Sequence, residues 1–310
     1  MRLIFMGSPA FAVPVLEALV NRGHEILAVY TQTDKPKGRS GKLAFCPVKE
    51  WACVHGLTVY QPVSLRKKAV MEEIENLQAD AIIVAAYGKI LPGRVLKAAR
   101  YGCINVHASL LPKYRGAAPI EWAILDGEKE TGITIMQMDE GLDTGDILLQ
   151  EAVSIEEDDT GDSLTEKLSE MGAEPLLKVL DMVEKKALIP VKQGDSPTAY
   201  AAMLSKDMGL LDFNLSAEVL ERKIRAFYSW PSAYTYLNNK MLKIHRAAVT
   251  EGDPLRAPGE IIKVTKKDFT INCKEGALAV KQLQLEGKKT MPSDAFLRGY
   301  NLTEGTVLGS

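Results

Sequence analysis

Residues 3–6, Leu-Ile-Phe-Met, form an apolar run that stops at Gly7, and a helical stretch follows Ser8-Pro9 to about Arg22. Gly23 would end that helix, and residues 26–30, Ile-Leu-Ala-Val-Tyr, supply a second apolar run. A short run without polar alternation is buried on both faces, and a helix between two such runs makes them parallel neighbours. This opening unit constrains the chain to an α/β fold built on a Rossmann-like parallel sheet. It is not a dinucleotide fingerprint. That motif needs glycines two and five residues beyond the first, where this chain has Pro9 and Ala12. Gly7 reads instead as a turn that lets the helix pack closely, so NAD is not expected.

Further strands are expected at residues 58–60, 80–86, 103–106 and 132–138, with helices at 47–55, 66–76 and 117–125. The run Cys103-Ile-Asn-Val-His-Ala-Ser-Leu-Leu-Pro-Lys-Tyr-Arg-Gly116 carries the chemistry. Period-2 alternation places Asn105 and His107 on one side of the strand. A carboxamide there can donate to a developing oxyanion, and an imidazole can carry a proton near neutral pH. A satisfied polar pair at a strand end is the plainer alternative.

Three loops flank this strand. Residues 31–49 hold five cations (Lys35, Lys37, Arg39, Lys42, Lys49) against the single acid Asp34. Such a Gly-containing basic loop suits a polyanion, or is simply solvated. Tyr87-Gly88-Lys89-Ile90-Leu91-Pro92 forms a turn at the carboxyl edge of a parallel strand, where α/β sheets bind ligands. Residues 139–146, Asp-Glu-Gly-Leu-Asp-Thr-Gly-Asp, carry four carboxylates. They lack EF-hand spacing and read as a plain turn or as the source of a carboxylate beside His107.

At 310 residues the chain has room for two domains, and a net charge of −2 gives no global pull toward nucleic acid. Cys46, Cys53, Cys103 and Cys273 form no C-x-x-C pair, so free thiols are expected and no metal. With no signal peptide or membrane-length apolar run, the cytoplasm is the expected compartment. Residues 162–186 read as one helix packed on the first domain, and 190–206 as a linker rich in turn formers. Beyond it lie a helix at 217–226 and five short β-like segments (233–237, 241–248, 259–264, 269–272, 278–284), which suggest a small barrel. Arg222, Lys223 and Arg225 precede Phe227, Tyr228 and Trp230. Cations among aromatics can track a nucleic-acid backbone, or the aromatics belong to the barrel core.

The runs 105–116 and 139–146, the opening Ile4-Phe-Met-Gly7-Ser-Pro9 and the loop Asp34-Lys-Pro-Lys-Gly-Arg39 together resemble the folate-dependent formyltransferases along the whole chain. The resemblance implies a formyltransferase domain over 1–189, the linker 190–206 and an OB-like tRNA-binding domain over 207–310. It implies a catalytic trio of Asn105, His107 and Asp143. It implies contacts to the donor 10-formyltetrahydrofolate from Ser109, Leu110, Leu111, Pro112, Tyr87, Gly88, Ile90, Leu91 and Asp139. Lys35, Lys37, Arg39 and Lys42 would meet the acceptor, methionyl initiator tRNA, and a monomer suffices. A family member acting on a nucleotide-linked amino sugar, a folate hydrolase of the same fold, and a non-catalytic RNA-binding protein on this scaffold are the rival readings.

Overall fold

The computed structural model describes residues 1–37 and 42–309; Arg39 lies outside them. The chain divides into two compact units. One comprises Met1–Pro119, Glu130–Ser154 and Thr165–Ala202, the other Ile120–Lys129, Ile155–Leu164 and Met203–Ser310. Two inner segments thus cluster with the C-terminal residues, where sequence reading places the boundary in one linker.

The first unit is built on seven strands, among the described residues: β1 Arg2–Gly7, β2 Glu25–Tyr30, β5 Val59–Tyr60, β6 Ala81–Ala85, β7 Cys103–His107, β8 Glu130–Gln137 and β9 Ile147–Ser154. A small hairpin, β3 Lys35–Lys37 and β4 Lys42–Ala44, stands apart from that sheet. The strand order is β5-β2-β1-β6-β7-β8-β9. The first five run parallel and the last two are antiparallel additions. Strands β6 and β7 are buried along their whole length, as a parallel sheet covered on both faces requires. One face holds Ile4, Met6, Tyr30, Ile82 and Val84 against Ile74, Leu91 and Val95. Helices α1 (Val13–Asn21) and α7 (Ala173–Glu184) pack together. A Cβ on Gly7 would lie 2.7 Å from the Ala85 carbonyl oxygen and 2.9 Å from the Ala12 Cβ, so the turn after β1 admits only glycine. Strand order reverses between β1 and β6, and the crevice beyond their carboxyl ends is where this architecture takes ligands.

Two local readings change. Residues 161–184 are not one helix but α6 (Gly161–Met171) and α7. Pro175 has no N–H and would clash with the carbonyl four residues earlier, so it is accommodated only in the first turn of a new helix. Strand β9 was not expected. Its burial alternates, with Gln150, Ala152 and Ser154 exposed and Glu151 and Val153 half-buried between them, the pattern of a strand with one solvated face.

The second unit carries an antiparallel half-barrel of β10 (Tyr234–Leu237), β11 (Lys240–Thr250), β12 (Ile261–Val264), β13 (Phe269–Asn272), β14 (Ala277–Leu285) and β15 (Met291–Pro292), among the described residues. The order is β10-β11-β14-β13-β12, with β15 on β14. Helix α8 (Ala217–Ala226), N-capped by Ser216, buries Leu220 and Ile224 in the same cluster as Leu242, Ile244, Phe269, Ile271 and Val280.

Candidate active site

His107 ends β7, paired with Thr134 of β8, and Asn105 lies two residues back on the same strand face. Both side chains are buried, at 6% and 8% exposure. His107 Nε2 lies 3.0 Å from the Tyr114 carbonyl oxygen. A carbonyl only accepts, so Nε2 carries a proton and Nδ1 is left to face outward from that bond. Nδ1 lies 3.8 Å from Asp143 Oδ2. The Asn105 carboxamide has no hydrogen-bond partner among the described residues, so its donors remain free for a ligand.

The chain after β7 is held from several sides. Ser109 Oγ donates to the Lys113 carbonyl (2.6 Å). Thr134 Oγ1 donates to the Ser109 carbonyl (2.6 Å) and accepts from Leu111 N (3.1 Å). Gln150 Nε2, on β9, donates to the Leu111 carbonyl at 2.8 Å and to Thr134 Oγ1 at 2.9 Å. Tyr114, in the left-handed region at φ 56°, donates its N–H to Thr198 Oγ1 (2.8 Å). Gly116 N–H donates to Asp143 Oδ2 (3.0 Å), and Ala201 exchanges backbone hydrogen bonds with Arg115 and Ala117. Gln193 Nε2 donates to the carbonyls of Asp143 (2.9 Å) and Gly145 (2.6 Å), while its Oε1 accepts from Arg115 Nε (3.0 Å) and Nη2 (2.8 Å). Most of what was read as a linker is therefore a strap along the site loops. Gln193, Thr198 and Ala201 bond to the backbone of those loops, while Gly194, Asp195 and Pro197 are exposed. Thr134, Gln150, Gln193 and Thr198 carry no sequence signal of this role.

The turn after β6 adjoins β7. Tyr87 is 1% exposed, its hydroxyl has no hydrogen-bond partner among the described residues, and burial pushes its phenol up to about 12. Gly88 adopts φ 73°, with Gln32 Nε2 lying over it to donate to the Tyr87 carbonyl (3.0 Å). Ile90 is exposed and Leu91 buried. Ser109 and Leu111 are likewise buried, Leu110 and Pro112 half-buried. Asp139 Oδ1 accepts from Gly141 N (3.0 Å) and Thr144 Oγ1 (2.8 Å), holding its own loop. The structure thus brings His107 and Asp143 together with Asn105 beside them. Of the other expected donor-site residues, Gly88, Ile90 and Asp139 are exposed.

The family model for formyl transferase matches residues 1–180, and that for the formyl transferase C-terminal domain matches residues 203–301. The chain belongs to the formyl transferase family. It is 51% identical to a methionyl-tRNA formyltransferase of Lachnospira eligens, over 100% of both chains. It is 48% identical to one from Caldanaerobacter subterraneus subsp. tengcongensis, over 99% of this chain and 100% of that one. Among solved structures, the sugar 3N-formyl transferase WlaRD, determined with dTDP and 5-N-formyl-THF, superposes with a TM-score of 0.69 at 19% identity, covering 93% of this chain and 99% of that one. HypX from Aquifex aeolicus in complex with tetrahydrofolic acid gives a TM-score of 0.65 at 19% identity, covering 96% of this chain and 47% of that one. The chain thus spans about half the length of HypX. These structural likenesses establish the formyl transferase fold.

In this formyl transferase the basic loop is a hairpin, with Lys35 opposite Ala44, Pro36 opposite Leu43 and Lys37 opposite Lys42. Its root is a polar network. Lys49 Nζ donates to Asp34 Oδ2 (2.6 Å) and Gln61 Oε1 (2.7 Å), and Gln61 Nε2 donates to Asp34 Oδ1 (2.9 Å). Those bonds, from Lys49 first, hold the Asp34 carboxyl below its ordinary range. Lys49 is thereby an anchor, not a surface cation. In the second unit the three cations of α8 are also engaged. Arg222 donates to the Leu125 carbonyl, Lys223 to that of Leu210, and Arg225 to Glu221 and the Asp159 carbonyl. Phe227 is core and Trp230 exposed. The expected basic and aromatic run is therefore mostly structural. Among the described residues no cluster of His, Cys, Asp or Glu could hold a metal ion, and no helix is long and apolar enough to cross a membrane.

Proposed function

We propose that this formyl transferase moves the formyl group of 10-formyltetrahydrofolate onto the α-amino group of methionyl initiator tRNA, giving N-formylmethionyl-tRNA in the cytoplasm. The full-length 51% identity to a methionyl-tRNA formyltransferase carries the reading. The site supplies matching chemistry. An unengaged carboxamide and a buried imidazole share one strand face, at an edge where Ile90 offers apolar surface to a pterin-like ring. In this reading the methionyl amine attacks the formyl carbon, a C–N bond forms, the bond to folate N10 breaks, and one proton passes from the amine to N10. Asn105 donates to the oxyanion. Tyr114 fixes one ring nitrogen of His107, and Nδ1, facing Asp143, shuttles the proton. The backbone of Tyr87, Gly88 and the 109–112 segment, with Leu91 and Asp139, shapes the folate pocket. Lys35, Lys37, Arg39 and Lys42 meet tRNA phosphates. Residues 1–189 do the chemistry and 207–310 hold the tRNA, in a monomer.

The test is formyl transfer from 10-formyltetrahydrofolate to methionine-charged initiator tRNA, with uncharged tRNA and a nucleotide-linked amino sugar in parallel. Formylation of the charged tRNA alone is expected. Transfer to the sugar alone overturns the acceptor. Formate release without either product points to hydrolysis.

A further inference from the structure

Asp143 occupies the left-handed region at φ 55°, which a side chain with a Cβ adopts reluctantly, so its loop needs external support. The Gly116 N–H fixes one carboxylate oxygen. The backbone is fixed by Gln193, fifty residues on. One end of its carboxamide donates to the Asp143 and Gly145 carbonyls, and the other accepts two bonds from Arg115, which immediately precedes Gly116. A single planar group thus ties the loop that presents the carboxylate to the loop that receives it. Only an amide does this, because a carboxylate at 193 would face two carbonyl oxygens with no proton to give. Arg115 is further braced by the Gly194 carbonyl at 2.9 Å, so the acceptor end of the clamp is itself fixed.

We infer that Gln193 is a positioning residue, which aims the Asp143 carboxylate at His107 by clamping residues 143–145 against Arg115. The inference rests on the reading that Asp143 orients His107 during formyl transfer. Among the described residues the partners of His107 are the Tyr114 carbonyl and Asp143, and the proposed effect of Gln193 passes through the second of them. A displacement of about 1 Å in a reacting group costs on the order of 10²-fold in rate.

The experiment is a double-mutant cycle on the full chain, reading kcat and both KM values for formylation of methionyl initiator tRNA. Gln193→Ala is expected to lower kcat by about 10- to 100-fold with both KM values little changed. In an Asp143→Asn background the same change is expected to cost nothing more. Gln193→Glu, which keeps the shape and the Arg115 contact but not the donation, is expected to fall at least as far, and carries the same cycle should Gln193→Ala not fold. Equal losses in both backgrounds, or unaltered kcat in Gln193→Ala while Asp143→Asn is impaired, overturn the inference alone. Unaltered kcat in Asp143→Asn overturns the reading beneath it as well.

Discussion

The loop after β7 and the β3–β4 hairpin both lead away from strand ends of the first unit, yet they treat solvent in opposite ways. In the first, Ser109, Leu111 and Tyr114 are at most 3% exposed, and most polar groups named above bond to backbone or to a neighbouring strand. In the second, Leu43 is 67% and Phe45 48% exposed, and among the described residues the anchoring contacts gather at the root, around Asp34, Lys49 and Gln61. Catalytic groups need fixed geometry before substrate arrives, because reorganisation during the reaction raises the barrier. A surface for a large polyanion needs reach and charge, which a hairpin carrying Lys35, Lys37 and Lys42 supplies. On the proposed function, the contrast makes chemistry and acceptor capture separable tasks of neighbouring segments.

Variants can break or sharpen that separation. His107→Ala should produce the largest effect, lowering the single-turnover rate by about 10³-fold or more while folate and tRNA affinities hold, as seen by binding titration. Asn105→Ala should cost about 10²-fold in kcat, the scale of one lost oxyanion donor. Arg39→Ala should raise the KM for tRNA by about tenfold, leave kcat intact, and reduce the slope of log affinity against log salt by about one. Lys49→Met should raise the same KM less, by loosening the hairpin root. Because the Asp34 carboxyl sits below its ordinary value, the stability its network contributes is present above the ordinary carboxylate range and fades as pH falls through the depressed value. Acid unfolding of wild type and Lys49→Met should therefore converge at low pH. Tyr87→Phe should matter least. It removes a buried hydroxyl with no described partner, so urea unfolding should show a change within about 1 kcal/mol and folate affinity should hold.

The parallel strands and the pairing of His107 with Asn105 were legible in sequence because period and apolar runs are local properties. The helix break before Pro175 was legible in principle, since proline excludes a continuous helix, but apolar spacing ran through it. Strand β9 and the strap at residues 191–201 were not legible. Their partners lie far along the chain, and Gln193 or Thr198 looks like any polar turn residue until the loops it bonds are placed. The α8 cations show the converse, since a basic run advertises nucleic acid while its geometry commits each charge to a backbone carbonyl or to Glu221.

The most direct test measures the single-turnover formylation rate, with both substrates saturating, for Arg39→Ala and His107→Ala side by side. The account predicts a wild-type rate for the first and a collapse of about 10³-fold for the second. Equal losses in both would place the hairpin within the chemical step, and a near-normal rate for His107→Ala would remove the β7 site from the reaction.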